Sequence, residues 1–456
     1  MNQRPASTIH FLVLNCTHLA GMMNFFKLVI SGQIILWLEG FVSRYRLLLY
    51  AGLCCYTAIA LFKLIPNRGM GPSWSVPYFS GAANLETGKG WRFLPCEADS
   101  IKQASGMDFY TYRFKKGDDQ NLRTYRYNAS GYVYFIYLSQ KIFPFVNEAG
   151  SVVILQLLLH TFCCLLLLQR LKKQLPKFVF LFGYACNPLI LYVVTFPFYY
   201  FVQVISSFLV LVFYTNKRLS WWQVIPLFLA GCFFLHCRKT VFPLELLICG
   251  LFLFRRQFLN ASVCLSLLLF FPVLWKNAGF ISDRNTGPWH TVFIGVGAYP
   301  NPYPYLQTLS DNTGMDLFRT EKDSTISSSL EGKFVYDSSI QDAYLSFARE
   351  KYISILKERP LLLLRNAVLN FFQGYSAGHV SNFSFWLNVL ISASGAVVFF
   401  FLLLRKEYFY LMAIGLSHIS FSPFYPPIPV YMFGTYLLLV YAISKAITGK
   451  KQVDQA

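Results

Sequence analysis

Residues 152–195, VVILQLLLHTFCCLLLLQRLKKQLPKFVFLFGYACNPLILYVVT, decide the fold. Two apolar runs, 152–169 and 178–195, flank a turn carrying Arg170, Lys172, Lys173 and Lys177. Each run is long enough for a membrane-crossing helix, which takes about 20 apolar residues, or roughly 17 at the short end. The basic turn marks the cytoplasmic side, because Lys and Arg collect in cytoplasmic loops. The same reading outward gives runs near 46–65, 199–215, 221–236, 241–254, 258–275, 384–404, 407–422 and 428–444. The expected fold is an all-α polytopic membrane protein of about ten transmembrane helices.

Composition agrees. The chain of 456 residues is 55% hydrophobic, 18% aromatic and only 13% charged, against about 25% charged residues in an ordinary soluble globule. The sequence pI near 9.4 does not signal nucleic-acid binding, since the basic residues fall in short clusters at the ends of apolar runs. Eleven cysteines are an odd number and most lie inside the apolar runs, so no disulfide framework is expected. His160, Cys163 and Cys164 share a helical face that suits a soft metal, but buried cysteines behave as small hydrophobes and core packing is the expected role. No metal site is assigned, and a divalent cation stays open as a cofactor.

When the runs alternate across the membrane, Arg44/Arg46, Arg170 to Lys177, Lys217/Arg218, Arg255/Arg256, Arg405/Lys406 and Lys445/Lys450/Lys451 all fall on one side. Two polar stretches, 66–131 and 277–359, fall on the other, as does the turn His236-Cys237-Arg238-Lys239. The two stretches hold 16 of the 21 acidic residues, so most of the chain's carboxylates are expected on the outer face. The division is then an N-terminal cytoplasmic or interfacial segment 1–45 and an N-terminal transmembrane module 46–275 with outer loop 66–131. A second outer loop 276–383 and C-terminal transmembrane helices with a cytoplasmic tail 384–456 follow. No cleavable leader is read in residues 10–40. Both loops are expected to carry interfacial helices, since YNASGYVYFIYLSQKIFPF is too short and Tyr-rich to span. In the second loop, DAYLSFAREKYISILKERP reads as a helix stopped at Pro360. Residues 290–340, rich in Gly, Pro, Asn and Ser, read as ordered loop.

Arg238 and Lys239 are adjacent cations on the outer side, against the charge rule. Arg grips phosphate oxygens through two parallel hydrogen bonds and Lys adds a point charge; snorkelling to lipid headgroups is the alternative. Lys276 follows Trp275 where a run emerges on the same side, either completing a cationic rim or anchoring the interface. His290, in GPWHTVFIGVGAYPNPYPY, is a candidate for a sugar hydroxyl or a phosphate, or a structural histidine. Of the first-loop acids, Glu97 and Asp99 are preferred as a general base because they sit between amphipathic segments. Asp118 and Asp119 read as solvated surface.

In order along the chain, an Arg-flanked first span, Tyr78, AANLETGKG, SGYVYFIYLSQKIFPF, NPLILYVVTFPFYYFVQ, GCFFLHCRKTVFP, PVLWKN and FSPFYPPIPVYMF resemble the membrane-embedded glycosyltransferases of the C superfold. The likeness is to the dolichyl-phosphate-mannose protein mannosyltransferase and aminoarabinose transferase-like group. It covers nearly the whole chain, and it lies in the order of the pieces more than in any one of them. Arg238 falls at the family's arginine, and Lys239 stands where proline is usual. The family's catalytic carboxylate lies just after the first span. Here that stretch, NRGMGPSWSVPYFSGAAN, has no acid before Glu86, so the role passes to a later carboxylate or the chain is not a standard catalyst.

The resemblance implies transfer of a sugar from a polyprenyl-phosphate carrier to a lipid, glycan or protein acceptor. The implied place is the outer face of a bacterial inner (plasma) membrane. Glu97 or Asp99 would serve as base, with Arg238, Lys239, Lys276 and His290 holding the carrier phosphate. A glycan polymerase or ligase, a silent scaffold of glycan-lipid assembly and a transporter are the competing readings. Glu245 is the one intramembrane acid a transporter would use.

Overall fold

The computed structural model describes residues 33–64, 76–89, 92–94, 112–118, 120–124, 129–277, 288–322, 338–376, 385–428 and 431–447. Its helices are α1 (Gln33–Arg44), α2 (Arg46–Leu64), α3 (Val76–Ala83), α4 (Ser130–Ile142), α5 (Glu148–Gln169), α6 (Gln174–Phe180) and α7 (Pro188–Val194). They continue as α8 (Gln203–Thr215), α9 (Trp221–Cys237), α10 (Phe242–Phe254), α11 (Phe258–Asn277), α12 (Trp289–Gly295) and α13 (Asp311–Glu321). The series closes with α14 (Ser338–Glu358), α15 (Pro360–Gln373), α16 (Phe385–Leu404), α17 (Tyr408–His418) and α18 (Phe433–Ala446). A short antiparallel pair, β1 (Arg92–Phe93) with β2 (Arg123–Thr124), joins two parts of the first loop.

Each of the ten apolar runs contains helix, but length limits what this establishes. Among the described residues α2, α5, α11 and α16 are long and apolar enough to cross a membrane, and a bent pair that includes α6 and α7 makes a fifth if counted as one span. The 13 residues of α10 extend only about 20 Å at 1.5 Å per residue, against a hydrocarbon core of about 30 Å. Four or five crossings, rather than ten, are therefore established by length and composition. The 51° bend of that pair follows from a π-turn over Leu181–Ala185 and an Asn-Pro restart. There Asn187 Oδ1 accepts from Leu189 N at 2.9 Å, and Pro188 occupies a helix position whose N–H has no internal acceptor anyway.

The helix α1 is tied to α6. Glu39 accepts from Gln174 N and Leu175 N, both at 2.9 Å, so its carboxylate caps the start of α6. Trp37 and Phe41 stack on the exposed side of α1. Glu39→Ala should lower stability by about 1 kcal/mol, read as a reduced Tm of the purified protein in lipid nanodiscs. The same change at the exposed Glu350 should leave Tm unchanged.

At the centre lies α8, nearly all of whose residues are buried, packed among α9, α10 and α18. One end of the bundle gathers the basic clusters. Arg255 Nη1 donates to Phe213 O at 2.7 Å and Nη2 to Tyr214 O at 2.6 Å, satisfying the last carbonyls of α8. Arg170 Nη2 donates to Asn216 Oδ1 at 3.0 Å. The other end receives the described parts of the two polar loops. In α4, Gly131 lies so close to the end of α9 that a Cβ there would be 2.9 Å from Cys237 N. In the first loop Asn84 Oδ1 accepts from Gly117 N at 3.0 Å, and Asn147 Nδ2 donates to Tyr112 O at 2.8 Å.

The second loop has its own apolar core of Phe293, Ile294, Met315, Phe318, Tyr344 and Phe347. This corrects the reading of residues 290–340 as loop: α12 and α13 both fall there. Ser310 Oγ caps α13 by accepting from Asn312 N at 3.3 Å. Met315 and Phe318, three residues apart, supply its buried face. Pro360 does end α14, and it also opens α15 as the first helical residue.

Candidate functional site

Arg238 stands where α9 stops and its backbone turns extended, with φ −157° and ψ 107°, before a short 3-10 turn, Lys239–Val241, leads into α10. The side chain is 8% exposed. Its guanidinium carbon lies 5.2 Å from the ring centre of Tyr199, 4.8 Å from Tyr200 and 4.7 Å from Tyr431. Tyr200 and Tyr431 meet edge to face at 5.6 Å, so three tyrosines form a cage around one cation. Nε donates to Thr240 Oγ1 at 3.1 Å. With the Gln203 amide oriented to satisfy both of its ends, its oxygen accepts from Arg238 Nε at 2.7 Å and its nitrogen donates to Tyr431 O at 2.6 Å.

The other end of the guanidinium is open. Among the described residues neither Nη1 nor Nη2 donates a hydrogen bond, and no carboxylate pairs with Arg238. A cation taken out of water without a counter-ion is penalised by several kcal/mol. Each cation–π contact returns about 0.5–2 kcal/mol, which holds the group in place without neutralising it. The arrangement is a fixed fork of N–H donors suited to an oxyanion, carboxylate or phosphate.

Lys239 is the next residue and is exposed; Thr240 O accepts from Ser420 Oγ at 3.3 Å. Lys276 is exposed at the end of α11. Its neighbour Trp275 stacks on His236 at 4.7 Å and 13° and meets Tyr134 edge-on at 5.2 Å. The ends of α9 and α11 are thereby fixed side by side, which sets Lys276 near the level of the Arg238 turn. His290 lies elsewhere. Its Nδ1 shares a 2.7 Å hydrogen bond with the hydroxyl of Tyr344, a buried residue of the second loop's own core, and the histidine itself is half-buried. Glu97, Asp99 and Asp119 lie outside the described residues, and Asp118 is exposed.

Glu86, the first acid after the first span, is bound to Lys141 and, at 3.0 Å, to Lys116. The hydrogen bond from Lys141 and then that from Lys116 hold its carboxyl down to about 2, which makes it a poor proton acceptor near neutral pH. His160 Nε2 donates to Ala185 O at 3.0 Å with Cys163 and Cys164 buried beside it, so this trio sits in the core. No group of three or more His, Cys, Asp or Glu able to hold a metal occurs among the described residues.

Tyr199, Tyr200, Gln203 and Tyr431 were not singled out by sequence reading as site residues. Their signal is the aromatic pair in FPFYYFVQ, just ahead of a glutamine that opens a helix. The fold and this site define an α-helical, membrane-type protein with a caged arginine, paired with no carboxylate among the described residues, at the loop-bearing end of its bundle. No family model, curated protein or solved structure matches the chain.

Proposed function

We propose that this chain is a multi-pass membrane glycosyltransferase that moves a sugar from a polyprenyl-phosphate carrier to a lipid, glycan or protein acceptor. The observation that carries the reading is the buried guanidinium of Arg238, held by three tyrosines with its Nη fork bonded to none of the described residues. When the glycosidic bond to the carrier breaks, negative charge grows on the leaving phosphate. A donor fork already fixed in a water-poor site stabilises that charge without reorganising, and this is usually the largest catalytic term. Lys239 and Lys276 add positive potential at the mouth, and Glu97 or Asp99 takes the proton of the acceptor hydroxyl. His290 is left out of this assignment because its Nδ1 is engaged with the Tyr344 hydroxyl within the second loop.

In the proposed topology the shorter helices α8, α9, α10, α17 and α18 complete ten spans. The basic end, with Arg170 and Arg255, faces the cytoplasm of a bacterial cell, and the Arg238 end faces outward. Epitope tags at Asp118 and Asp323 should be reached by an impermeant reagent in intact cells, and a tag after Lys451 should not. Opposite accessibility of the two loop tags would overturn the shared site. The chemistry is tested by incubating purified protein with polyprenyl-phosphate sugars and following release of the polyprenyl phosphate. Absence of release with every carrier and acceptor offered would count against transfer.

A further inference from the structure

We propose that Glu245 binds a proton inside the helix bundle, and that the polar face of α8 is the route by which this proton exchanges with the Arg238 pocket. Glu245 lies in the first turn of α10 and has no exposed surface. A Cβ on Gly231 of α9 would stand 2.6 Å from its Oε2, so the α9 backbone presses directly on the carboxyl. Cys232 of α9, Cys249 of α10, Cys264 of α11 and Ser206 of α8 face it. The helix α17 also packs on α10, but its His418 turns toward Phe371 and Tyr375. Neither Glu245 oxygen meets a partner in good hydrogen-bonding geometry, and no Lys, Arg or His pairs with it among the described residues.

An isolated carboxylate in such surroundings would carry an electrostatic penalty far above that of the neutral acid. The group therefore keeps its proton. Buried ionisable groups of this kind are expensive and mark proton or ion paths. The path here is visible on α8. Gln203, Ser206 and Ser207 stand at i, i+3 and i+4, one face of the helix. Gln203 bonds Arg238 at one end and Ser206 faces Glu245 at the other, while Ser206 Oγ and Ser207 Oγ are buried and bonded to none of the described residues in good geometry. The proton site is independent of which anion Arg238 holds.

The test uses the full chain in lipid nanodiscs at neutral pH. Infrared difference spectra between wild type and Glu245→Gln, a nearly isosteric change, should show loss of a carboxylic-acid C=O band. That band should shift in D2O more slowly in Ser206→Ala/Ser207→Ala than in wild type. On wild-type protein, dicyclohexylcarbodiimide offers a second reading that needs no variant. The acid O–H adds across a C=N bond of the reagent, giving an O-acylisourea that rearranges to a stable N-acylurea of the same mass. Peptide mass spectrometry should place this adduct on Glu245. Loss of carboxylate bands instead of the acid band, or an unmodified Glu245 under conditions that label a control membrane carboxyl, would overturn the proton site. Equal exchange rates in wild type and the double serine variant would overturn the route.

Discussion

Arg238→Ala should weaken binding of polyprenyl phosphate by about 1.5–3 kcal/mol, roughly ten- to a hundredfold, while Arg255→Ala leaves it unchanged. The two arginines stand at opposite ends of α10 and differ in what their donors meet. Both Nη atoms of Arg255 are spent on Phe213 O and Tyr214 O, whereas among the described residues Arg238 donates only through Nε, which leaves its fork for the proposed carrier phosphate. Arg255→Ala is expected to appear in stability instead, because it strips the last carbonyls of α8 of their donors. Arg238→Lys should recover only part of the affinity, since an ammonium cannot bond two oxygens in parallel. Titration of each purified variant with polyprenyl phosphate, read by native mass spectrometry, checks this. Equal losses at the two positions would mean generic lipid contacts.

Glu97→Gln or Asp99→Asn should lower transfer about 10²- to 10⁴-fold, the usual effect of removing a general base, with carrier binding intact. Asp118→Asn should be silent. Glu86 is held ionised by Lys141 and Lys116, Asp118 is exposed, and Glu245 is enclosed by the bundle, so these three are poorer bases for an acceptor at the Arg238 pocket. Both substitutions are close to isosteric, so a rate loss without a binding loss separates proton transfer from folding. Full activity in the two single variants and in their double would remove both residues from the mechanism.

The apolar runs were legible because their length and basic flanks are physical requirements of a membrane, and each run holds helix in the structure. Less legible was how many cross, since α8, α10 and α17 are short and end in turns set by tertiary contacts. The second loop was misread where Gly and Pro outweighed spacing: Met315 and Phe318 of α13 bury one helical face that composition conceals. At the site, Arg238 stood out by violating a charge rule. The tyrosines around it did not, because an aromatic residue in an apolar run looks the same whether it packs a core or cages a cation, and Tyr431 approaches from far along the chain. His290 shows the converse, an isolated polar residue whose partner, Tyr344, could be found only in three dimensions.

The most direct measurement is a cryo-electron microscopy structure of the chain with polyprenyl phosphate bound. The expected result is a phosphate with two oxygens about 2.7–2.9 Å from Arg238 Nη1 and Nη2, the guanidinium still enclosed by Tyr199, Tyr200 and Tyr431, and the prenyl chain running into the membrane. A phosphate bound away from this turn, with the Arg238 fork closed onto a protein carboxylate, would contradict the assignment.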